Sequence, residues 1–330
     1  MKISVVIPTY NRSEELKSAV ESVLDQSTPA NEIIVVDNGN DSKTEDILQF
    51  YSNNKSNTQI RYLKNHVNSV SVARNIGGQN AQGDIIFFLD DDDKFDTYYI
   101  EEIIQIYSDC PNALIVQGNL AKEISKSNII ILWNNIWNLY SKFFYIFSFS
   151  KNMKKVLPSG KNVSPSYCDK VINCQWASGG CSSVKKKVFN EFLYDNNLIK
   201  YSYGEDVDFS YRIYKKYPQS IYLAPKAKLL YKGSFNKGTP LKQAIIMEKA
   251  YNLYFVSKNL GKPINYILFF WSEIGMFLQD MLFCVLFIKK RGKYFLLRLL
   301  YSLCAYYICI RFFSRIQNLD IDYINNRYLL

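Results

Sequence analysis

Residues Asp84 to Asp93 read Asp-Ile-Ile-Phe-Phe-Leu-Asp-Asp-Asp-Asp, and this stretch restricts the fold more than any other part of the chain. Five consecutive apolar residues, Ile85 to Leu89, predict a strand buried on both faces, as in a mostly parallel sheet. Four adjacent carboxylates follow, and they repel one another wherever neither water nor a cation neutralises them. Ligands of open α/β sheets sit just outside the carboxyl ends of the strands. A hard divalent cation carrying a substrate's phosphates is therefore the natural occupant; a solvated acidic turn capping a helix that starts near Asp96 is the alternative.

The flanking segments predict alternating strands and helices. Ile3 to Ile7 is an apolar run closed by Pro8. Ser13, Glu14 and Glu15 then open a helix whose Leu16, Ala19, Val20, Val23 and Leu24 recur at three and four. Strands are expected at Glu32 to Val36, Ile60 to Leu63 and Ala113 to Gln117, and helices at Thr44 to Tyr51, Ser71 to Gln82 and Asp96 to Ser108, the second of these interrupted by Gly77-Gly78. Glu205 to Tyr217 reads as a helix, followed by two short strands, Ile221 to Ala224 and Ala227 to Tyr231. This order predicts a right-handed βαβ sheet. The absence of Gly-x-Gly-x-x-Gly argues against a dinucleotide fold.

Two regions depart from the alternation. Ile129 to Phe149 is apolar and aromatic but contains Asn134, Asn135, Asn138 and Lys142, which suggests an amphipathic segment rather than a spanning helix, and residues 151 to 170 read as a mobile loop. The tail is the more unusual region. Of the formal net charge of +10, the stretch Tyr231 to Leu330 holds 14 Lys and Arg against 5 Asp and Glu. A basic segment that is also the most apolar part of the chain fits an anionic membrane surface better than nucleic acid. Leu241 to Leu260 predicts an amphipathic helix. Apolar stretches at 264 to 288 and 294 to 313 follow, separated by Lys289-Lys290-Arg291-Gly292-Lys293. A two-span hairpin would put that basic loop outside, against the positive-inside tendency, so helices lying on the cytoplasmic leaflet are expected, with a packed helical tail or dimer contact as the competitor. The polar stripe Asn265, Ser272, Glu273, Gln279 and Asp280 fits helices in an interface. Seven cysteines without a Cys-x-x-Cys pair, one histidine and no signal-peptide pattern point to a reducing cytoplasm without a zinc site.

Four patches together resemble the nucleotide-diphospho-sugar glycosyltransferases of family 2, which have the GT-A fold. They are Ser-Val-Val-Ile-Pro-Thr-Tyr-Asn-Arg at 4 to 12 with Ile-Val-Val-Asp at 34 to 37; Ser-Val-Ala-Arg-Asn-Ile-Gly at 71 to 77; Leu-Asp-Asp-Asp-Asp at 89 to 93; and Gly-Glu-Asp-Val-Asp-Phe at 204 to 209, preceded by Ala-Ser-Gly-Gly at 177 to 180. The resemblance implies an α/β, Rossmann-like GT-A domain over residues 1–235, with a mostly parallel central sheet, flanking helices and an insertion at 129–170 near the acceptor side. A helical, membrane-associated appendage over 236–330 completes the expected organisation.

The resemblance also assigns roles. Pro8, Thr9, Tyr10 and Arg12 would lie around the nucleotide, and Asp37 would accept a hydrogen bond from the base, most often uracil. Such a carboxylate suits a ring N–H that cytosine lacks, while a cap on the Asp37-Asn38-Gly39 turn is the structural competitor. Arg74 would contact the diphosphate or hold the acidic loop. Asp90 and Asp92 would bind ribose and a Mg²⁺ or Mn²⁺ ion, with Asp91 beside them and no role fixed for Asp93. Asp206 would be the general base of an inverting transfer, with Glu205 beside it; acidic side chains at a helix N-terminus also stabilise the dipole without any catalytic role. Gly179 and Gly180 would admit the donor sugar or acceptor. Trp176 would stack on an acceptor sugar or fill the core. Lys232 stands near the position where relatives often carry a histidine, and it would contact the diphosphate. The implied partners are a nucleotide-diphospho-sugar donor, a lipid-linked or surface-glycan acceptor and the membrane surface, with no nucleic acid and homo-oligomerisation left open. A sugar nucleotidyltransferase and a non-catalytic sugar-nucleotide-binding protein are the rival readings.

Overall fold

The computed structural model of the chain describes residues 1–54, 58–120, 128–150, 152–165, 168–231, 239–286 and 288–330. These form two compact units, Met1–Lys122 with Tyr167–Phe235, and Glu123–Ser166 with Asn236–Leu330. The stretch 123–166 thus groups with the tail helices, where the sequence suggested an insertion belonging to the first domain.

In the first unit, β1 (Ile3–Thr9) is buried along its whole length, and α1 (Ser13–Leu24) turns Leu16, Ala19, Val20 and Val23 inward. β2 (Glu32–Asp37) is equally buried, while β3 (Gln59–Lys64), reached through α2 (Lys43–Asn54), is half-buried as an edge strand. α3 (Val70–Asn80) starts at Ser69, whose Oγ accepts from the Val72 N–H. Gly77 and Gly78 do not interrupt α3. A Cβ at Gly77 would come within 2.3 Å of Val6, and one at Gly78 within 2.4 Å of the Phe189 ring, so the two glycines let the helix lie close on its neighbours. β4 (Ile85–Phe88) carries the apolar run, followed by β5 (Asp93–Phe95), α4 (Tyr99–Asp109) and β6 (Ile115–Leu120).

The chain next enters the second unit through α5 (Asn128–Phe143), β7 (Ser148–Ser150), β8 (Lys155–Val156) and β9 (Asn162–Pro165). It returns to the first as β10 (Ile172–Asn173), β11 (Ser182–Lys185), α6 (Glu205–Lys216) and β12 (Ile221–Tyr231). β12 is one strand with a register shift between Leu223 and Lys228, not the two strands expected around Pro225.

The main sheet has the order β10-β12-β6-β11-β4-β1-β2-β3, with β5 added on β12. β4, β1, β2 and β3 run parallel, as do β6 and β12, while β11 lies antiparallel between β4 and β6. Alternate residues of each central strand enter cores on opposite faces. Val5, Ile7 and Phe87 meet the residues of α1 and α4 on one side, and Val6, Ile34 and Phe88 meet Ala73 and Phe209 on the other. Parallel pairing also brings the strand ends together. Thr9 is in register with Asp37, and Asp37 with Lys64, so β1, β2 and β3 end in a row beside the acidic loop after β4.

In the second unit, β7, β9 and β8 form a small sheet where a mobile loop was expected. α7 (Leu241–Asn259), α8 (Pro263–Leu286) and α9 (Ile288–Arg311) pack on one another. The Tyr140 hydroxyl donates to the Gly275 carbonyl at 2.6 Å and Asn265 Nδ2 to the Pro158 carbonyl at 2.8 Å, which attaches 123–166 to α8. The polar stripe of α8 faces inward. Asn265, Ser272, Glu273 and Asp280 are buried, whereas Ile267, Phe270, Ile274, Leu278, Met281 and Val285 are exposed. Glu273 takes Lys161 at 2.6 Å and Lys249 at 2.7 Å; Arg298 joins Glu248 at 3.2 Å and Asp280 at 2.9 Å. Three cations thus meet three carboxylates inside the unit, a condition buried charges require. Leu296, Leu300, Leu303, Tyr307 and Ile310 form a second exposed apolar stripe on α9. By length and composition, Pro263–Leu286 and Gly292–Arg311 would each suffice to cross a membrane.

Candidate active site

Arg74 is the centre of the site. Its position on α3 buries the guanidinium, and Nη2 donates to Asp90 Oδ1 at 2.8 Å while Nη1 donates to Glu205 Oε1. Burial works against the charge, but Asp90 and Glu205 raise the Arg74 pKa further above its ordinary value. One planar fork therefore links the acidic loop after β4 to the first turn of α6. Of the two roles expected for Arg74, holding the acidic loop is the one these contacts describe.

The acidic loop is divided between two arginines. Asp91 is buried, accepting from Thr9 Oγ1 at 2.8 Å and from Arg12 Nη1 at 3.1 Å, and the same nitrogen reaches Asp92 Oδ2 at 3.2 Å. Burial pushes Asp91 up to about 6 against the pull of Arg12. Asp93 is pushed to about 8, first by burial and then by the charges of Asp90, Asp92 and Asp91. Its buried Oδ1 has no hydrogen-bond partner among the described residues. Asp90 and Asp92 keep 44% and 15% of their side chains exposed and are the two carboxylates through which the loop meets solvent.

At the opposite wall, Gly204 has φ +78°, a left-handed conformation that favours glycine, and it starts α6 so that Asp206 falls in the first turn. Asp206 is half-buried. Its Oδ2 accepts from the Gly179 N–H at 3.1 Å and its Oδ1 from the Val207 N–H at 2.8 Å. Glu205 is buried and pushed up to about 8 by burial and by Asp206, with Arg74 opposing. Gly179 and Gly180 admit these neighbours. A Cβ on Gly179 would lie 2.3 Å from Arg74 Nη1, and one on Gly180 2.2 Å from Asp90 Oδ2. Their smallness thus serves the Arg74–Asp90 contact, a use the sequence did not suggest.

Asp37, at the end of β2, is fully buried and accepts from the Gly39 N–H at 2.8 Å, the Tyr62 hydroxyl at 2.9 Å and Lys64 Nζ at 3.0 Å. Burial and the bond to Asp37 push the Tyr62 hydroxyl up to about 12, so it remains a donor. Of the remaining expected residues, Pro8 is buried within β1 and Tyr10 is exposed just beyond it. Trp176 is buried with 7% exposure and packs inside the unit, the second of the two placements expected for it. Lys232 lies outside the described residues. Sequence reasoning missed Tyr62 and Lys64, although the position of Lys64 at the end of a predicted strand was a signal for it.

A divalent cation fits this donor set only with help. Among the described residues no group of three or more His, Cys, Asp or Glu is arranged to hold a metal unaided. Asp90 and Asp92 supply two outward carboxylates, so phosphate oxygens and water would have to complete the shell.

The acidic loop and the acidic N-terminus of α6 lie at the carboxyl ends of the strands, where ligands of open α/β sheets bind. Residues 4–167 match the family model described as Glycosyl transferase family 2, and over that region the chain belongs to that family. It is 38% identical over 103 residues to TuaG of Bacillus subtilis, named as a teichuronic acid biosynthesis glycosyltransferase, covering 31% of this chain and 40% of that protein. Similarity to the GalNAc(5)-diNAcBac-PP-undecaprenol beta-1,3-glucosyltransferase of Campylobacter jejuni is 30% over 134 residues, 38% of this chain and 42% of that protein. The matches span less than half the length of these two relatives. The fold is also that of GalNAc-T7, crystallised with UDP, GalNAc and Mn²⁺, at a TM-score of 0.55 and 18% identity over 83% of this chain and 55% of that one.

Proposed function

We propose that this chain is an inverting glycosyltransferase that moves a sugar from a nucleotide-diphospho-sugar, a UDP-sugar by the family resemblance of the Ile-Val-Val-Asp stretch ending at Asp37, to a hydroxyl of a lipid-linked or surface-glycan acceptor. The observation that carries this reading is the Arg74 fork, which connects Asp90 to Glu205 and so sets the acidic loop and Asp206 around one site. Asp206 takes the proton of the acceptor hydroxyl as its oxygen bonds to the anomeric carbon, and the bond from that carbon to the diphosphate breaks on the opposite face. The Gly179 N–H, bonded to Asp206 Oδ2, orients the carboxylate and leaves its remaining lone pairs for the acceptor. Asp92 and Asp90 would hold a Mg²⁺ or Mn²⁺ ion, which would supply charge neutralisation to the leaving nucleoside diphosphate. Relatives named for undecaprenol-linked and teichuronic acid products support the acceptor class.

The second unit suits a lipid surface. Lys161, Lys249 and Arg298 pair with Glu248, Glu273 and Asp280 inside it, and its outward stripes on α8 and α9 are apolar, the reverse of a helix packed in a water-soluble protein. The basic run Lys289-Lys290-Arg291-Gly292-Lys293 adds attraction to anionic headgroups. We place these helices at the cytoplasmic face of the cell membrane.

The test is donor turnover by the purified full chain across a panel of sugar nucleotides with and without Mn²⁺, alongside Asp206→Asn. The variant should bind the donor with unchanged affinity and lose transfer by about three orders of magnitude or more. Wild-type transfer by Asp206→Asn would remove Asp206 as the base, and binding of every donor without turnover would leave a binding protein.

A further inference from the structure

Within the second unit, α5 lies antiparallel along α8. Trp137 stacks on Phe283 with ring centroids 5.8 Å apart, the Tyr140 hydroxyl donates to the Gly275 carbonyl, and Phe144 stacks on Trp271 at 4.9 Å. Another side of α5 is uncovered: Ile136, Leu139 and Phe143, spaced at three and four, are 53%, 72% and 61% exposed. Past α5 the chain alternates, with Phe144, Ile146 and Ser148 buried and Tyr145, Phe147 and Phe149 exposed. Tyr145 also borders a groove of about 540 Å³, whose other walls are Ile267, Leu268, Phe270, Trp271 and Ile274 of α8. The polar side-chain atoms of that lining are the Tyr145 hydroxyl and the Trp271 N–H, and the latter donates to the Phe143 carbonyl at 2.9 Å. Such a groove suits a hydrocarbon chain.

Charge decides among the possible occupants. The segment from Ile124 to Ser166 contains six lysines and no Asp or Glu. The acids of α8, Glu273 and Asp280, are paired inside the unit. A second copy would set one lysine-rich segment against another, which repels, whereas an anionic headgroup is attracted. Lys142 is exposed, and its carbonyl accepts from the Tyr145 N–H at 3.3 Å. The turn that gives the groove its tyrosine therefore also carries a cation.

We propose that the groove between Tyr145 and α8 is a binding site for an anionic phospholipid, with an acyl chain along Trp271, the headgroup phosphate at Lys142, and Phe143, Phe147 and Phe149 seated at the headgroup level of the bilayer. Aromatic side chains favour that level. The inference rests on the lipid-surface reading above and adds to it a lipid site and the segment 136–149.

Tryptophan fluorescence and flotation of the full chain with vesicles of phosphatidylglycerol or phosphatidylcholine, each brominated on the acyl chains, test this. Phosphatidylglycerol vesicles should bind more tightly and quench wild type. Trp271→Phe should lose most of that quenching while still floating, and Lys142→Gln should bind about fivefold more weakly. Should Trp271→Phe not fold, the double variant Phe147→Ser, Phe149→Ser changes only exposed positions and should weaken binding by about tenfold or more. Unchanged quenching in Trp271→Phe overturns the proposal, as does unchanged binding by the double variant or equal affinity for the two headgroups. A chain that floats with anionic vesicles without any quenching by bromine overturns the site alone; one that floats with neither vesicle overturns the lipid-surface reading itself.

Discussion

Arg74 and Glu205 lie 131 residues apart in sequence and form a buried ion pair, with the second arm of the guanidinium ending on Asp90. The contact brings α3, the acidic loop and α6 to one point. Removing the arginine would leave Glu205 buried beside Asp206 with no cation. Arg74→Met should therefore destabilise the first unit by about 3–5 kcal/mol, the range for breaking a buried pair. Arg74→Lys should restore only part of this, because an ammonium cannot serve both carboxylates with a planar fork. Urea denaturation of the three proteins checks the order.

Gly180→Ala should act on the same contact from the other side. The added methyl would sit 2.2 Å from Asp90 Oδ2, so Asp90 must swing away from Arg74. We expect a loss of about 1–3 kcal/mol in stability together with a fall of at least about tenfold in donor affinity, measured by urea denaturation and calorimetry. Normal UDP affinity in this variant would show that Asp90 is not a donor contact.

Asp93 makes stability depend on pH. Its pKa in the folded chain is raised to about 8, mainly by burial, and the unfolded value lies near 3.8. Between these values the folded state keeps a proton that the unfolded state has lost, so stability falls as pH rises from about 4 to about 8. Asp93→Asn should change Tm little at pH 4 and raise it progressively above that, by about 5 °C or more at pH 8.5. Scans in a chelating buffer keep divalent cations from sharing the loop.

The outward stripes of α8 and α9 should bind lipid. Full-length protein should float with vesicles containing anionic phospholipid, and the binding should weaken with salt. Replacing Lys289, Lys290, Arg291 and Lys293 by Gln should cost about 1 kcal/mol per charge. Leu300→Asp and Leu303→Asp on the exposed stripe should reduce flotation even at low salt. Loss through the charges alone would mean that the apolar stripe touches no lipid.

Much of this protein was legible from local pattern. Continuous apolar runs gave β1, β2 and β4, because a strand buried on both faces needs no polar alternation. Spacing at three and four gave α1 and α6. The strand-end acids Asp37, Asp90 and Asp92 could be named because a parallel sheet delivers all its strand ends to one edge. What misled the reading was what burial reverses: Gly77 and Gly78 resemble a helix break but are a packing face, and the polar stripe of α8 resembles a water-facing side but is the interior. The short strands β5 and β7 to β9 leave too few residues for any periodicity.

By itself, the sequence determined the alternating elements, the chemistry available at each strand end and the basic, apolar character of the tail, since these depend on neighbours a few positions away. Only the tertiary structure decided which charge meets which. It matched Arg74 to Asp90 and Glu205, Arg12 to Asp91 and Asp92, and Lys64 to Asp37, and it joined 123–166 to the tail. Ion pairs and helix contacts form between groups tens to hundreds of residues apart, and the choice among possible partners is made by desolvation and distance, which a linear order of residues does not contain.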